Sequence, residues 1–287
     1  MAGEMKGAFG DADALTDRER LHRVRAGLVV TRRVIWALIM REARTRYGRS
    51  DLGYAWAIID PLIEFSLLMV LFTAFGRVSP IAVSLPAFLI SGLMPFHLFR
   101  DCMSRGSTAA SANAALLTYP QVKVMDVVAA RVLLETATFL VVYVSFVFVI
   151  VFAVGDQFSA FVDEPRKMIP AFLGLFYFGF CCAVFSSSMN RLTPIWGSIW
   201  GYLSRPLWFL SGVFFTLSHL PNNARRYMTY NPVAHVLEWW RSGTLSAFES
   251  TAYSPLFVLG TATVLLFIGL AVDRMLTMVG HSDVSSG

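Results

Sequence analysis

Apolar residues are gathered into long blocks along the chain, and six of these blocks approach the length of a membrane-spanning helix. About 20 mostly apolar residues are needed to cross the hydrocarbon core of a bilayer. The second block is the weakest, because two prolines interrupt it and Arg100 and Asp101 stand near its end. The pattern therefore predicts an all-α polytopic membrane protein with six transmembrane helices. The predicted spans are residues 53–75, 85–103, 127–154, 168–189, 195–217 and 255–272.

Two segments outside these blocks have a regular pattern of their own. In residues 28–50, apolar side chains recur at helical spacing with arginines on the opposite side, which is typical of an amphipathic helix in the membrane interface. Residues 218–253 alternate apolar and polar positions, which predicts short re-entrant helices that dip into the outer leaflet. The rest is expected to be a flexible cytoplasmic tail over residues 1–27, a six-span domain over residues 51–276, and a cytoplasmic tail over residues 277–287.

Composition and charge agree with a membrane location and orient the chain. The 287 residues are 56% hydrophobic and 15% charged, whereas soluble domains average about 25% charged residues. Eleven of the 24 lysines and arginines precede the first predicted span, and such residues favour the cytoplasmic side. Six spans return the chain to that side, so both termini are expected in the cytoplasm. The first 27 residues contain no apolar run of the kind that marks a signal peptide.

Sequence motifs for catalysis or nucleotide binding are absent. The chain contains no GxxxxGK[ST], GxSxG, HExxH or CxxC pattern, and its five histidines are scattered. The chain therefore has no P-loop to bind nucleotide phosphates, and we expect no catalytic residue, metal site or cofactor in this chain. Cys102, Cys181 and Cys182 lie in apolar runs and are predicted to pack in the core.

The junction between the interface helix and the first span contains the stretch RTRYGRSDLGYAWAIIDPL, residues 44–62. It resembles the N-terminal signature of type-2 ABC transporter permeases that export polysaccharides, with Asp60 where that family more often has Glu. Two later stretches, LSGVFFTLSHLP (residues 210–221) and YNPVAHVLEWWR (residues 230–241), are similar to elements found in type-2 permeases generally. The closest similarity is to capsular polysaccharide export permeases of Gram-negative bacteria. The matching signature positions are Arg46, Tyr47, Ser50, Leu52, Gly53, Trp56, Asp60 and Pro61.

The resemblance implies a permease that works as a homodimer with two copies of a separate ATP-binding subunit, which binds ATP and Mg. It implies a location in the bacterial inner membrane and export of a lipid-linked capsular or related polysaccharide from cytoplasm to periplasm. An accessory periplasmic protein is a further candidate partner, and nucleic acid is not a partner. Export of a drug, lipid or haem by a related permease and a proton-coupled carrier remain alternatives, whereas a membrane-embedded enzyme is disfavoured.

The basic cluster before the first span is the candidate site where the substrate enters. Guanidinium groups bind phosphate and acidic sugars with two hydrogen bonds, but they also bind anionic lipid headgroups, and both interpretations stay open. Asp60 is expected to pair with an arginine such as Arg49, while the deeper Glu64 is expected to face the pore, because ionisable groups inside a span are costly. The residues assigned to this site are Arg41, Arg44, Arg46, Tyr47 and Arg49.

Aromatic residues of the fifth predicted span are the candidate translocation path, since sugar rings stack on aromatic faces. The alternative is that they belong to the aromatic belts found at both membrane interfaces. Arg205, in mid-span beside Pro206, is expected to attract an acidic polymer and to mark a gate hinge. The residues assigned to the path are Glu64, Trp196, Trp200, Tyr202, Arg205, Trp208, Phe214 and Phe215.

The cytoplasmic segment 111–126 is predicted to be a short helix and a turn broken by Pro120. The resemblance implies that this segment is the coupling helix that docks on the ATPase, with apolar anchors in a groove. The alternative is an ordinary polar loop. The residues assigned to coupling are Leu116, Leu117, Tyr119, Pro120 and Val122.

Overall fold

The computed structural model describes residues 17–48, 53–156, 158, 161, 164–245, 248, 250 and 252–285. Within these residues the regular secondary structure is helical. A 3₁₀ turn occupies Leu217–His219. The α-helices are α1 (Asp17–Tyr47), α2 (Gly53–Ala74), α3 (Leu85–Ser107), α4 (Ala109–Ala112), α5 (Val124–Val154), α6 (Pro165–Leu192), α7 (Trp196–Leu210), α8 (Asn222–Met228), α9 (Pro232–Thr244) and α10 (Pro255–Ser285).

Four helical segments in the described part of the chain are long and apolar enough to cross a membrane. They are Ala55–Ala74 of α2, Val124–Phe152 of α5, Pro165–Leu192 of α6 and Pro255–Met278 of α10. They coincide with the first, third, fourth and sixth predicted spans, so the prediction of an all-α membrane protein is confirmed. The count of six spans and the re-entrant path of residues 218–253 stay predictions.

The second and fifth predicted spans differ from simple membrane helices. Every residue of α3 from Pro86 to Phe99 is buried in the protein, so its charged C-terminal part is attached to a helix surrounded by other helices rather than by lipid. The fifth predicted span, residues 195–217, contains the 15-residue helix α7, which ends at Leu210. Gly212 follows with a φ of +81°, a left-handed conformation that favours glycine and ends the helix.

Both predicted tails contain helix where the structure describes them. Helix α1 begins at Asp17 rather than near residue 28, and α10 continues to Ser285. The first of these extensions, DRERLHRVRAG, is polar but consists mainly of residues with good helix propensity and contains no proline. The helix predicted to begin at residue 28 therefore begins at Asp17, and the assignment of the two ends as flexible cytoplasmic tails stays a prediction. Residues 1–16 lie outside the described part.

Small residues let the central helices approach closely. A Cβ atom on Gly106 of α3 would lie 2.7 Å from the Cα atom of Ala183 in α6. On the same interface, a Cβ atom on Gly179 would lie 3.2 Å from the Sγ atom of Cys102. Cys102, Cys181 and Cys182 are all free and buried, which confirms the prediction that they pack in the core.

Candidate functional site

Reciprocal ion pairs fasten the interface helix α1 to the first turns of α5. Glu42 and Arg46 are four residues apart on α1, and Arg131 and Glu135 are four residues apart on α5, so each pair shares one helix face. Arg131 Nη2 lies 2.9 Å from Glu42 Oε1, and Arg46 Nη1 lies 2.6 Å from Glu135 Oε1. On α1 the acid precedes the base, and on α5 the base precedes the acid. Both pairs therefore form together in one alignment of the two helices. We call these two pairs the α1–α5 ladder.

The end of α3 joins the ladder. Arg131 Nη1 donates to the Arg105 carbonyl oxygen at 2.8 Å and to Thr108 Oγ1 at 2.9 Å. Arg105 Nε lies 3.6 Å from Glu135 Oε1, which is thus shared by two guanidinium groups. Burial of the Arg46 guanidinium disfavours its charge, but the Glu135 carboxylate outweighs this, and the pKa of Arg46 is raised. Arg46 is therefore positively charged at neutral pH, opposite the Glu135 carboxylate.

The residues predicted to receive the substrate fall into two groups. Arg41 donates to Asn113 Oδ1 at 2.6 Å, Arg46 belongs to the ladder, and Tyr47 is buried with its hydroxyl 3.3 Å from Thr138 Oγ1. These three side chains are held by the protein itself. The side chain of Arg44 is exposed and makes no hydrogen bond or ion pair within the described residues. Arg49 lies outside the described part, as does the predicted pairing of Asp60 with it.

A cavity of about 320 Å³ opens between α1, α2, α3 and α5; we call it cavity 1. Glu64 Oε1 lies 3.2 Å from His97 Nε2 in its wall, and Arg100 Nε lies 3.3 Å from Asp101 Oδ1. Trp56 is 56% exposed and offers an aromatic face beside these polar groups. The lining residues at the polar end are Arg46, Tyr47, Trp56, Asp60, Glu64, His97, Arg100, Asp101, Glu135 and Thr138.

A second cavity, cavity 2, has a volume of about 340 Å³ and lies between α2, α3 and α7. Its wall includes Glu64 and Arg100, which also line cavity 1, so the two cavities adjoin at these side chains. It also includes Arg205 and Trp208. The structure therefore brings together three of the residues predicted for the translocation path, Glu64, Arg205 and Trp208.

The other five residues predicted for the path line neither cavity. Trp196 donates its indole N–H to Ser186 Oγ at 2.8 Å, and Trp200 is buried with its ring edge-on to Phe99 at 5.6 Å. Tyr202 is 75% exposed on the outside of α7. The ring of Phe214 packs on Trp208 at 4.8 Å. The Phe215 carbonyl oxygen accepts from Arg241 at 3.0 Å. Packing accounts for Trp196 and Trp200, and any role of these five in transport stays a prediction.

Residues 111–126, predicted as a cytoplasmic short helix and a turn broken by Pro120, contain the end of α4, a series of turns and the first residues of α5. The turn at Pro120 agrees with the prediction, whereas the short helix ends already at Ala112. The Asn113 carbonyl oxygen accepts from the amides of Leu116 and Leu117, and Pro120 has no amide hydrogen to continue a helix. Leu116, Leu117 and Val122 pack inward, whereas Tyr119 is 61% exposed. We call residues 113–123 the cytoplasmic tip, after the side of the membrane predicted for them.

The two stretches at residues 210–221 and 230–241 bind each other, although they were noted only for their resemblance. Asn231 caps α9 through Val233 N and donates to the Leu210 carbonyl oxygen at 3.1 Å. Glu238 accepts from Leu217 N at 2.9 Å. Arg241 is fully buried and donates to the carbonyl oxygens of Gly212, Val213 and Phe215. Sequence reasoning missed these roles; the signal was a polar residue at each helical repeat of an otherwise apolar α9.

Comparison with known proteins agrees with this architecture. The chain matches the ABC-2 type transporter family over residues 33–245. It is 31% identical to the polysialic acid transport protein KpsM of Escherichia coli, over 87% of this chain and 96% of that protein. It is 32% identical to the capsule polysaccharide export inner-membrane protein CtrC of Neisseria meningitidis serogroup A, over 85% of this chain and 91% of that protein. It is 30% identical to BexB, a protein of the same description from Haemophilus influenzae, over 86% of this chain and 92% of that protein. The chain therefore belongs to the ABC-2 type transporter family.

Proposed function

We propose that this chain is the permease subunit of an ATP-driven exporter that moves a lipid-linked capsular or related polysaccharide from the cytoplasm to the periplasm. The named roles of its relatives support this proposal. The observation that carries it is the pair of adjoining cavities, whose walls bring ionisable and aromatic side chains together on otherwise apolar helices. ATP and Mg bind to a separate subunit, because this chain contains no P-loop.

The glycolipid enters at cavity 1, beside the interface helix. Arg46 is engaged in the ladder. Arg44, by contrast, is exposed and can bind an acidic group at headgroup level. The exposed ring of Trp56 gives a sugar a surface on which to stack, and such contacts are weak enough to be left again, as conduction requires. The termini lie in the cytoplasm of the cell and the cavities lie in its inner membrane.

The working unit contains two permease chains and two ATP-binding subunits. Arg205 is exposed on α7 and has no ion pair within the described residues. Facing lipid would cost a charged side chain about 2.5–3.5 kcal/mol at the centre of a span. A second permease chain removes this cost, because cavity 2 then opens toward a wet path between the two copies rather than toward lipid.

The cytoplasmic tip docks on the ATPase, and the outer surface is open to a periplasmic partner. Tyr119 and Pro120 are exposed on the tip, and an aromatic side chain on a short projection fits the anchor-in-groove mode of recognition. On the outer segment, Tyr227 and Tyr230 are 75% and 73% exposed. An accessory export protein can use them as contact residues.

The proposal is tested with the purified complex of this chain and its partner ATPase in proteoliposomes. Addition of a lipid-linked glycan should stimulate ATP hydrolysis and should deliver glycan to the opposite leaflet. Replacement of the Walker lysine in the ATPase should abolish both. Delivery that persists in that variant, or a complex that responds to drugs or haem but to no lipid-linked glycan, would contradict the proposal.

A further inference from the structure

Helix α1 is attached to the rest of the protein at two places with different neighbours. Near its C-terminal end, the α1–α5 ladder ties it to α5 and to the end of α3. At Arg41 it is tied to the cytoplasmic tip, through the 2.6 Å hydrogen bond to Asn113 Oδ1. Arg41 and Arg46 are five residues apart, which is about 7.5 Å along a helix. One short length of helix therefore contacts both the tip and the wall of cavity 1.

The hydrogen bond between Arg41 and the tip has a buried acceptor that is held in place by the protein. Asn113 is only 3% exposed, and its amide nitrogen donates to the Ala109 carbonyl oxygen at 3.0 Å. This second hydrogen bond turns Oδ1 toward Arg41, because the two ends of one amide group point in opposite directions. The Asn113 carbonyl also begins the turns that form the tip. The side chain that binds α1 thus belongs to the residue from which the tip starts.

The attachment at the cavity is equally specific. Glu135 is 6% exposed and binds Arg46 at 2.6 Å, and both side chains line cavity 1. The buried Glu135 carboxylate cannot exchange Arg46 for water without a large cost. Because Arg46 is part of α1, a rotation or shift of α1 must therefore displace the Arg46–Glu135 pair. The shape and charge of the cavity wall consequently depend on the position of α1.

We propose that α1 transmits the position of the cytoplasmic tip to the wall of cavity 1, with Arg41–Asn113 as the contact at the tip and Arg46–Glu135 as the contact at the cavity. This assigns Arg41 and Arg46 a positioning role, distinct from binding the substrate. The inference rests on the proposed function for its direction, since the ATPase is what displaces the tip. Nucleotide binding at the partner then reaches the substrate cavity through one helix.

The first test separates the hydrogen bond from the fold. Arg41→Met and Asn113→Leu remove it. Asn113→Asp loses the donor to the Ala109 carbonyl oxygen but keeps an acceptor for Arg41, and it should retain more stimulation than Asn113→Leu. The matched control is Arg33→Met, an exposed arginine of α1 with no partner in the described structure. Arg41→Met and Asn113→Leu should keep basal ATPase activity and assembly, but should lose glycolipid stimulation at least about fivefold, the lower end of typical coupling between sites.

Two further comparisons exclude a merely additive effect. The Arg41→Met/Asn113→Leu double variant should be no worse than either single variant, because both remove one contact. Arg46→Glu and Glu135→Arg should each lose stimulation, and their combination should recover most of it. Additive losses at Arg41 and Asn113, or stimulation in both single variants equal to that of Arg33→Met, would overturn the proposal.

A distance measurement tests the link without any glycan. The native cysteines are buried, so spin labels can be placed on the exposed positions in Ala37→Cys and Thr118→Cys. When the partner ATPase binds a non-hydrolysable ATP analogue, the distance between the labels should stay constant in the wild-type background and change in Arg41→Met/Asn113→Leu. A distance that changes equally in both backgrounds refutes the link. Failure of glycans to stimulate the wild-type complex would instead refute the proposed function.

Discussion

A single residue can determine whether a polar segment is tolerated in the interior, and Arg241 is the clearest example. Its guanidinium donates to three backbone carbonyl oxygens, lies 3.2 Å from Ser91 Oγ through Nε, and covers the ring of Phe88 at 4.5 Å. The turn after α7 exposes carbonyls that have no helical partner. Arg241 satisfies them, so the charge and the turn stabilise each other. Gly92 gives the guanidinium room, because a Cβ atom there would contact Nη2.

Arg241→Met should therefore destabilise the protein strongly. The substitution preserves much of the side-chain volume but removes the donor from three carbonyl groups. Two of these, of Gly212 and Val213, are buried, and an unsatisfied buried group costs about 1–3 kcal/mol. Thermal unfolding of the protein in detergent should show a clear loss, while Arg226→Met, at an exposed arginine of α8, should unfold like the wild type. Equal unfolding temperatures for the two variants would show that the turn finds other donors.

At the scale of helices, contacts depend on pairs of patterns rather than on single motifs. The sequence E-x-x-x-R in α1 faces R-x-x-x-E in α5, and neither pattern means anything without the other. The arginines of α1 were predicted to bind substrate or lipid because a charge cluster before a span is typical of both. The structure engages Arg41 and Arg46 internally, and only a search for complementary charge spacing in another helix could have indicated the α1–α5 ladder.

The contact between α3 and α6 depends on the absence of a side chain. Gly106→Ala would place its Cβ atom 2.7 Å from both the Cα atom and the carbonyl oxygen of Ala183, and backbone atoms cannot move aside as a flexible side chain does. Overpacking of this kind costs about 1–3 kcal/mol. Gly260→Ala is the matched control, because nothing lies within 4 Å of the added atom.

The two glycine variants should therefore change stability in opposite directions. Gly106→Ala should lower the unfolding temperature, and Gly260→Ala should leave it unchanged or raise it, since alanine in a helix is favoured over glycine by about 0.5–1 kcal/mol. Differential scanning fluorimetry of both proteins in the same detergent measures the effect. A Gly106→Ala protein as stable as the wild type would mean that α3 and α6 can separate without loss.

At the scale of the whole molecule, two cavities from five helices meet at Glu64 and Arg100. Cavity 1 has its cations opposed by carboxylates, as in Arg46–Glu135 and Arg100–Asp101. Cavity 2 contains Arg205, which has no such partner within the described residues. The wall of cavity 1 contains more carboxylates than arginines, whereas the charged residues of cavity 2 are Glu64, Arg100 and Arg205. A chain of sugars moving from cavity 1 to cavity 2 would therefore pass from an excess of negative charge to net positive charge. An acidic glycan should depend on this step and a neutral glycan should not.

Arg205→Gln should thus discriminate between glycans of the same length and lipid anchor. A hydrogen bond to a charged group contributes about 1.5–3 kcal/mol, so stimulation of the complex by lipid-linked oligoglucuronate should fall about tenfold or more. Stimulation by lipid-linked oligoglucose should be unchanged, and Arg205→Lys should retain most of the response to the acid. An equal loss for both glycans, together with loss of the permease dimer, would place a carboxylate of the second copy at Arg205 instead.

The membrane class, four of the candidate spanning segments and the stretches that carry the family resemblance could be predicted from the sequence alone. Bilayer thickness sets a length that apolar blocks must reach, and such blocks are visible without knowledge of any contact. Glu64, Arg205 and Trp208, three of the eight residues predicted for the translocation path, line one cavity, and their role in transport stays a prediction. Ionisable residues on apolar helices usually face a polar space of this kind.

Only the tertiary structure decided which charges are available and which helices are buried. Arg46 and Glu135 are 89 residues apart in the chain, and Arg41 and Asn113 are 72 apart, so neither local spacing nor composition predicts their contact. Local sequence does not predict the burial of α3 either, whose polar end is tolerated because protein surrounds the helix. It also does not predict that Arg241 of α9 donates hydrogen bonds to the turn that follows α7. The free energy of a charge depends on what faces it, and what faces it is set by the packing of distant helices.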